Sequence, residues 1–338
     1  MEIPKNQIII AGPCSAESEN QVMDTARQIH AIDPSIIYRA GIWKPRTKPG
    51  SFEGIGSKGL NWLKEVKETY GLRTSTEVAT PAHVEACLAH DIDILWIGAR
   101  TTVNPFSVQA IADALRGSNK TIMVKNPIHA DIHLWIGAFE RLEKAGITNT
   151  IGIHRGFHSG YKGILRNEPH WDLVDQFREL MPEKKVICDP SHISGDSLLV
   201  PSISEMAVKR KLDGLMIETH RDPSVALSDK KQQLRPNQLL ALLDYLYGSS
   251  QDLLELREEI NQTDEHLISL LARRMSIAQK IALSKRRDQL DILQPERWSA
   301  VRDQNEKLAS KYELDPQFVK GLYEMIHEAS IDQQKGLL

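Results

Sequence analysis

Between Gln7 and about His220 the chain repeats one unit, a short β-branched or apolar run followed by a longer amphipathic stretch. Eight runs occur: Ile8 to Ile10, Ile36 to Tyr38, Arg73 to Val78, Ile94 to Ile97, Thr121 to Val124, Thr150 to Ile153, Lys185 to Cys188 and Gly214 to Ile217. Strands separated by helix-length connections must pair in parallel, and a parallel sheet needs helices to cover it. Eight such units over roughly 240 residues predict an α/β fold, a (β/α)8 barrel, with an open doubly wound sheet as the alternative.

In a barrel, functional groups follow the C-terminal ends of the strands. Those positions hold this chain's unusual chemistry. Gly12-Pro13-Cys14-Ser15 follows the first run, Arg39-Ala40-Gly41-Ile42-Trp43-Lys44-Pro45-Arg46-Thr47 the second and Gly98-Ala99-Arg100 the fourth. Lys125-Asn126-Pro127, His154-Arg155-Gly156, Asp189-Pro190-Ser191-His192 and Glu218-Thr219-His220 follow the fifth to the eighth, with Asp229 a short loop later.

Two sets separate. Cys14, His192, Glu218 and Asp229 come from runs one, seven and eight, neighbours once a barrel closes. A thiolate, an imidazole and two carboxylates suit a divalent first-row metal (Mn, Fe, Co or Zn) better than Ca or Mg. A buried cysteine is more often plain core, and Cys188, inside a run, is read that way. The second set is cationic: Arg39, Lys44, Arg46, Arg100, Lys125 and Arg155. These like charges repel unless a multiply charged ligand lies among them, and arginine forks match phosphate and carboxylate. His83, His90, His129, His133, His158 and His170 are read as surface or core residues. Net charge is −3, so the cationic site is local. That favours phosphorylated small molecules over nucleic acid or a membrane surface. Cys14, Cys87 and Cys188 are too scattered for a disulfide framework, and no leader-like or membrane-length apolar run occurs. Both points lead to the expectation of a cytoplasmic protein.

These segments resemble the signatures of 3-deoxy-D-arabino-heptulosonate 7-phosphate (DAHP) synthases over about residues 5 to 245. The resemblance implies a TIM barrel that condenses phosphoenolpyruvate with erythrose 4-phosphate. By it, Arg39, Lys44, Arg100, Lys125 and Arg155 hold phosphoenolpyruvate, Arg46 and Thr47 hold the acceptor phosphate, and Cys14, His192, Glu218 and Asp229 hold the metal. The related 3-deoxy-D-manno-octulosonate 8-phosphate synthases share the barrel and phosphoenolpyruvate. They carry Asn-Arg-Ser where this chain has Pro45-Arg46-Thr47, which favours erythrose 4-phosphate over arabinose 5-phosphate. The implied chemistry is a metal-polarised aldehyde with fixed cations holding the phosphoenolpyruvate methylene against it. Lys44 is expected to protonate the new alkoxide, because a lysine among cations has a lowered pKa; His192 or a bound water are the alternatives. Many relatives carry a regulatory domain before the barrel; with the first run at Gln7, none is expected here.

After Leu239 to Leu243, the last barrel helix, Gly248-Ser249-Ser250 breaks the pattern, giving domains 1–248 and 249–338. From Gln251 to about Arg287 there is no Pro or Gly and the apolar residues keep a helical period, which predicts a helix about 55 Å long. Such a helix needs partners, and Pro295 to Tyr312 and Pro316 to about Gln334 supply two more, each with Pro in its first turn. An all-helical dimerisation module is the plain reading. Against it, Arg274 and Lys285 are eleven residues apart and share a face, while Arg257 points about 100° away. Together with Glu296-Arg297 and the stretch Ser330 to Gln334, these residues resemble the all-helical chorismate mutases, which are intertwined dimers. By that resemblance Arg257, crossing from the partner, and Arg274 clamp the substrate's carboxylates, Lys285 and Gln334 bond its ether oxygen, and Glu296 and Ser330 bind the rest. Trp298 stands where an acidic residue is common in that family. The whole chain is then expected to be a bifunctional homodimer, or a larger assembly, converting chorismate to prephenate in its tail. The short joint adds the expectation that the tail regulates the barrel. The alternatives are a tail that senses or dimerises without catalysis and a barrel with arabinose 5-phosphate as acceptor.

Overall fold

A computed structural model describes residues 3–44, 50, 52–160, 163–248 and 253–336, without the side chains of 253–259 and 262. The expected acceptor-phosphate residues Arg46 and Thr47, and the side chain of Arg257, lie outside the described residues. The chain divides into two units, Met1–Ser249 and Ser250–Leu338.

In the first unit the strands are β1 (Ile8–Gly12), β2 (Ile37–Arg39), β3 (Thr74–Val78), β4 (Ile94–Ile97), β5 (Thr121–Lys125), β6 (Thr150–His154), β7 (Lys185–Cys188) and β8 (Gly214–Glu218). All pair in parallel with their sequence neighbours, and β8 returns to β1 with Ile8 opposite Gly214 and Gly12 opposite Glu218. That closure rules out the open sheet and leaves no free edge. The covering helices are α1 (Glu19–Ile32), α2 (Lys58–Tyr70), α3 (Pro81–Ala89), the short α4 (Ala99–Thr102), α5 (Pro105–Ala114), α6 (Ile132–Lys144), α7 (Trp171–Leu180), the short α8 (Pro190–Ser194), α9 (Val200–Lys209) and α10 (Pro236–Tyr247). Their starts are written locally: Ser18, Thr80, Asn104 and Asp131 each accept a backbone N–H of the first turn, and Pro opens α3, α5, α8, α9 and α10.

Two apolar layers result. Ile9, Ala11, Tyr38, Leu95, Val124, Val186 and Ile217 face the helices, while Ile10, Ile37, Ile94, Trp96, Met123, Ile153, Ile187 and Met216 form a separate cluster inside the barrel. Cys188 belongs to the helix-facing layer, as expected of a core cysteine.

The second unit holds α11 (Leu253–Arg287), α12 (Pro295–Lys311) and α13 (Pro316–Lys335), with α13 packed on both others. The 35 residues of α11 make it about 52 Å long. Much of its apolar face, including Leu267, Leu270, Ile277 and Ile281, is exposed in a single chain. The face shared by Arg274 and Lys285 is only partly covered, and both residues are half-buried.

Candidate active site

Strand alternation decides which side chains reach the barrel mouth. Residues two apart on a strand face the same side. One step beyond the inward cluster stand Arg39 on β2, Gly98 after β4, Lys125 on β5, Arg155 after β6, Asp189 after β7 and Glu218 on β8. Glu77 occupies the matching place on β3. The apolar interior gives way to a layer of charge.

At the β1–β8 seam, Gly12 lies opposite Glu218. Its φ is +148°, and a Cβ there would meet the Arg39 carbonyl oxygen at 2.0 Å, so glycine is required. Just beyond it, donor atoms of Cys14, Glu218 and Asp229 lie within 4.8 Å of one another. His192, the fourth expected ligand, stands beside them with Nε2 3.8 Å from Glu218 Oε1. Its Nδ1 donates to the buried Asp189 carboxylate at 2.9 Å, which leaves Nε2 turned toward the set. Burial lowers the His192 pKa against the pull of Asp189. Glu218 resists burial because His192 and Arg39 hold its carboxyl below the usual range, yet its Oε1 is buried without a hydrogen-bond partner. A buried, charged oxygen without a hydrogen bond, 3.5 Å from Arg39 Nη2 and facing a thiol, an imidazole and a second carboxylate, fits a divalent metal. Burial, reinforced by Glu218, pushes the Cys14 thiol up to about 12, and Sγ donates its proton to Asp229 Oδ2 at 3.2 Å.

Next to this set opens a cavity of about 310 Å³ lined by Lys44, Glu77, Arg100, Lys125, Arg155, His158, Arg166, Asn167, His192 and Asp229, among others. Of the expected cations, Lys44, Arg100, Lys125 and Arg155 line it. Arg39 lies beneath, 1% exposed, donating to the Cys14 carbonyl at 3.3 Å and stacked over Trp96 at 4.9 Å. Its Nε and Nη1 are buried without partners.

Three expectations change here. The cations are not all unbalanced, because Lys125 Nζ pairs with Asp189 Oδ2 at 2.7 Å and Arg39 lies 3.5 Å from Glu218. The unpaired pole is Arg100 and Arg155, neither of which has an anionic partner among the described residues. Burial drives the Arg155 pKa down to about 10, opposed by Asp189 and aided by Arg166 and Arg100. Lys44 was expected to have a lowered pKa. Burial does push it down, but the Cys14 sulfur at 3.0 Å and Glu218 outweigh burial and hold it above its ordinary value. His158, read as surface or core, lines the cavity. Sequence reasoning also missed Glu77, whose inward position on β3 was readable from the strand's alternation. It missed Arg166, Asn167 and Gln232 too, the first two in a loop and the third ending the short 3-10 turn Lys230–Gln232, where there is no periodic signal.

In the helical unit, Arg274 Nη1 on α11 donates to Ser330 Oγ on α13, and Ser330 is buried. Lys285 Nζ donates to the Ile292 carbonyl at 2.5 Å. Gln334, one turn beyond Ser330 on the same face of α13, is buried with Oε1 unpartnered. The structure thus brings Arg274 and Ser330 together and gives Gln334 a free acceptor. Glu296 is exposed in the first turn of α12 and makes no hydrogen bond or ion pair among the described residues. Trp298, which stands where an acidic residue is common in the resembling family, stacks on His327 at 3.8 Å.

Residues 4–255 match the model of the DAHP synthetase I family, and residues 256–335 match that of chorismate mutase type II. A phospho-2-dehydro-3-deoxyheptonate aldolase of Thermotoga maritima is 33% identical over 67% of this chain, which spans 64% of that relative's length. A 2-dehydro-3-deoxyphosphooctonate aldolase of Variovorax paradoxus is 28% identical over 72% of this chain and 90% of its own. The crystal structure of a Thermotoga maritima DAHP synthase superposes with a TM-score of 0.64 at 29% identity, over 72% of this chain and 69% of that one.

Proposed function

The chain belongs to the DAHP synthetase I family and continues into a chorismate mutase type II segment, and from that premise we propose that it is a bifunctional enzyme of the shikimate pathway. The barrel, residues 1–248, condenses phosphoenolpyruvate with erythrose 4-phosphate and water to give DAHP and inorganic phosphate. The helical unit, residues 249–338, rearranges chorismate to prephenate. The observation that carries the first activity is one cavity flanked by a donor set for a metal and a pole of unpaired arginines.

Arg100 and Arg155 hold the phosphate of phosphoenolpyruvate, since neither has an anionic partner among the described residues. Lys125 and the free nitrogens of Arg39 face its carboxylate. These contacts are fixed before substrate arrives, so positioning costs little at the moment of reaction. Cys14, His192, Glu218 and Asp229 would hold a divalent metal, which when bound supplies Lewis-acid polarisation of the acceptor aldehyde. Bond formation runs from the phosphoenolpyruvate methylene to the aldehyde carbon, water attacks the resulting cation at the former enol carbon, and phosphate leaves. The new alkoxide takes a proton from Lys44, which the nearby Glu218 carboxylate keeps an ammonium until it is needed. Arg46 and Thr47 bind the acceptor phosphate. The Pro45-Arg46-Thr47 sequence supports erythrose 4-phosphate. The relatives named for the octulosonate product keep arabinose 5-phosphate as the second reading.

In the helical unit Arg274 binds a chorismate carboxylate, Arg257 of a second copy the other, and Lys285 and Gln334 bond the ether oxygen as its carbon–oxygen bond breaks. Glu296 and Ser330 complete the contacts. The exposed apolar face of α11 supports pairing with a second copy. Prephenate, made in the helical unit, inhibits the barrel. The experiment is a paired assay on the purified chain: DAHP formation with erythrose 4-phosphate competing against arabinose 5-phosphate, and chorismate consumption. Preference for arabinose 5-phosphate overturns the acceptor, and absent mutase activity makes the tail a binding module.

A further inference from the structure

Among the residues that no expectation named, Arg166 and Gln232 make the most specific contacts. Arg166 Nη1 donates to Asp229 Oδ1 at 3.2 Å and to Gln232 Oε1 at 2.7 Å. Gln232, buried at 2% exposure, passes the interaction on, its Nε2 donating to Glu218 Oε2 at 2.8 Å. One guanidinium thus reaches both carboxylates of the donor set, one directly and one through an amide. Each carboxylate spends a single oxygen on this bracket. The other oxygens are Glu218 Oε1, which is buried without a hydrogen bond 3.5 Å from Arg39 Nη2, and Asp229 Oδ2, which accepts from Cys14 Sγ.

The local backbone is built around Arg166. Its N–H and that of Asn167 donate to the Ser194 and Ile193 carbonyls of α8 at 3.1 Å each, which ties the loop to the helix carrying His192. Gly195, the residue ending α8, has φ +70°, and a Cβ there would lie 2.5 Å from Arg166 Cβ. Only glycine both takes that conformation and leaves Arg166 its place.

We infer that Arg166 and Gln232 are positioning residues: they fix Glu218 and Asp229 so that each offers one chosen oxygen, Oε1 and Oδ2, to a divalent metal beside Cys14. The bracket also offsets the repulsion between the buried Glu218 and the half-buried Asp229 before the ion arrives. This rests on the metal reading of the rim. Neither residue needs to touch the ion, and Gln232 does not line the substrate cavity, so its effect reaches substrate only through the ligands.

The test uses the full chain stripped of metal by chelation and titrated with Mn2+, with affinity read by electron paramagnetic resonance of free Mn2+. Gln232→Leu and Arg166→Ala should each weaken Mn2+ binding about 10- to 100-fold, the range for lost outer-shell contacts. Arg166→Lys, keeping one donor, should recover part of the loss. Phosphoenolpyruvate affinity measured without metal should change less than about threefold in Gln232→Leu, whereas general damage to the rim would lower both. Arg166 is exposed, so its variants should fold even if Gln232→Leu does not. Unchanged Mn2+ affinity in the folded variants overturns the inference. A wild-type chain that binds no Mn2+ overturns instead the metal reading beneath it.

Discussion

Asp189→Asn removes one charge from the best-connected buried group in the barrel mouth and almost nothing else. Asp189 is fully buried, pairs with Lys125 Nζ at 2.7 Å, holds His192 Nδ1 at 2.9 Å and caps α8 by accepting the His192 N–H. Asparagine keeps the volume and an oxygen for the cap. What it loses is the counter-charge of Lys125, itself 5% exposed. Leaving one partner of a buried pair uncompensated costs about 3–5 kcal/mol. For a unit of this size each kcal/mol moves Tm by roughly 2–4 °C, so the barrel's thermal transition should fall by about 6–20 °C. Although burial opposes it, His192 and Lys125 hold the Asp189 carboxyl well below the ordinary aspartate range. A depressed carboxylate contributes stability that is present above its unfolded pKa and lost as pH falls through the folded one. The deficit should therefore be constant over roughly pH 5 to 9, all of it above the ordinary value near 3.9. Phosphoenolpyruvate brings negative charge to Lys125 and should raise the variant's Tm by more than the wild type's. A drop of less than about 2 °C, or equal stabilisation of both proteins by phosphoenolpyruvate, would refute the reasoning.

Other outcomes follow from the same geometry. Because the Cys14 thiol, pushed up to about 12, keeps its proton without an ion, metal binding must release that proton. Mn2+ affinity should then rise about tenfold per pH unit near neutrality, checked by titrations at three pH values; a flat profile removes Cys14 from the ligands. Arg274→Ala should lower kcat/KM for chorismate by at least about 10²-fold, from a lost charge-assisted contact on the order of 3 kcal/mol, and leave DAHP formation unchanged. A mutase unchanged within error would contradict the role of Arg274. Truncation after Gly248 should yield a barrel insensitive to prephenate, and inhibition as strong as in the full chain would place the effector site on the barrel.

The barrel was legible because its period is carried by composition: each β-branched run lies between helix-patterned stretches, and β1 to β8 fall within a residue or two of those runs. The rim was legible for a related reason, since a charged residue ending an apolar run, such as Lys125 or Glu218, stands out against it. Glu77 did not stand out, because β3 is written Thr-Ser-Thr-Glu-Val and offers little apolar contrast. Arg166 lies in a loop and Gln232 in a short 3-10 turn, where nothing in the local sequence tells a bracket from a solvated turn. The environment of Lys44 was misread because its neighbours in sequence are cations, while its neighbours in space are Cys14 and Glu218. In the tail the helices follow from period and proline, but the exposed face of α11 concerns what covers it, which one chain's pattern does not contain.

The central claim is that one chain carries a metal-dependent condensation on its barrel rim and a metal-free rearrangement in its helical unit. It is tested most directly by measuring both activities on the same sample before chelation, after exhaustive chelation and after Mn2+ is restored. The account predicts that chelation abolishes DAHP formation, that Mn2+ restores it, and that chorismate turnover stays constant throughout. DAHP formation that survives complete removal of metal, or loss of both activities together, would contradict it.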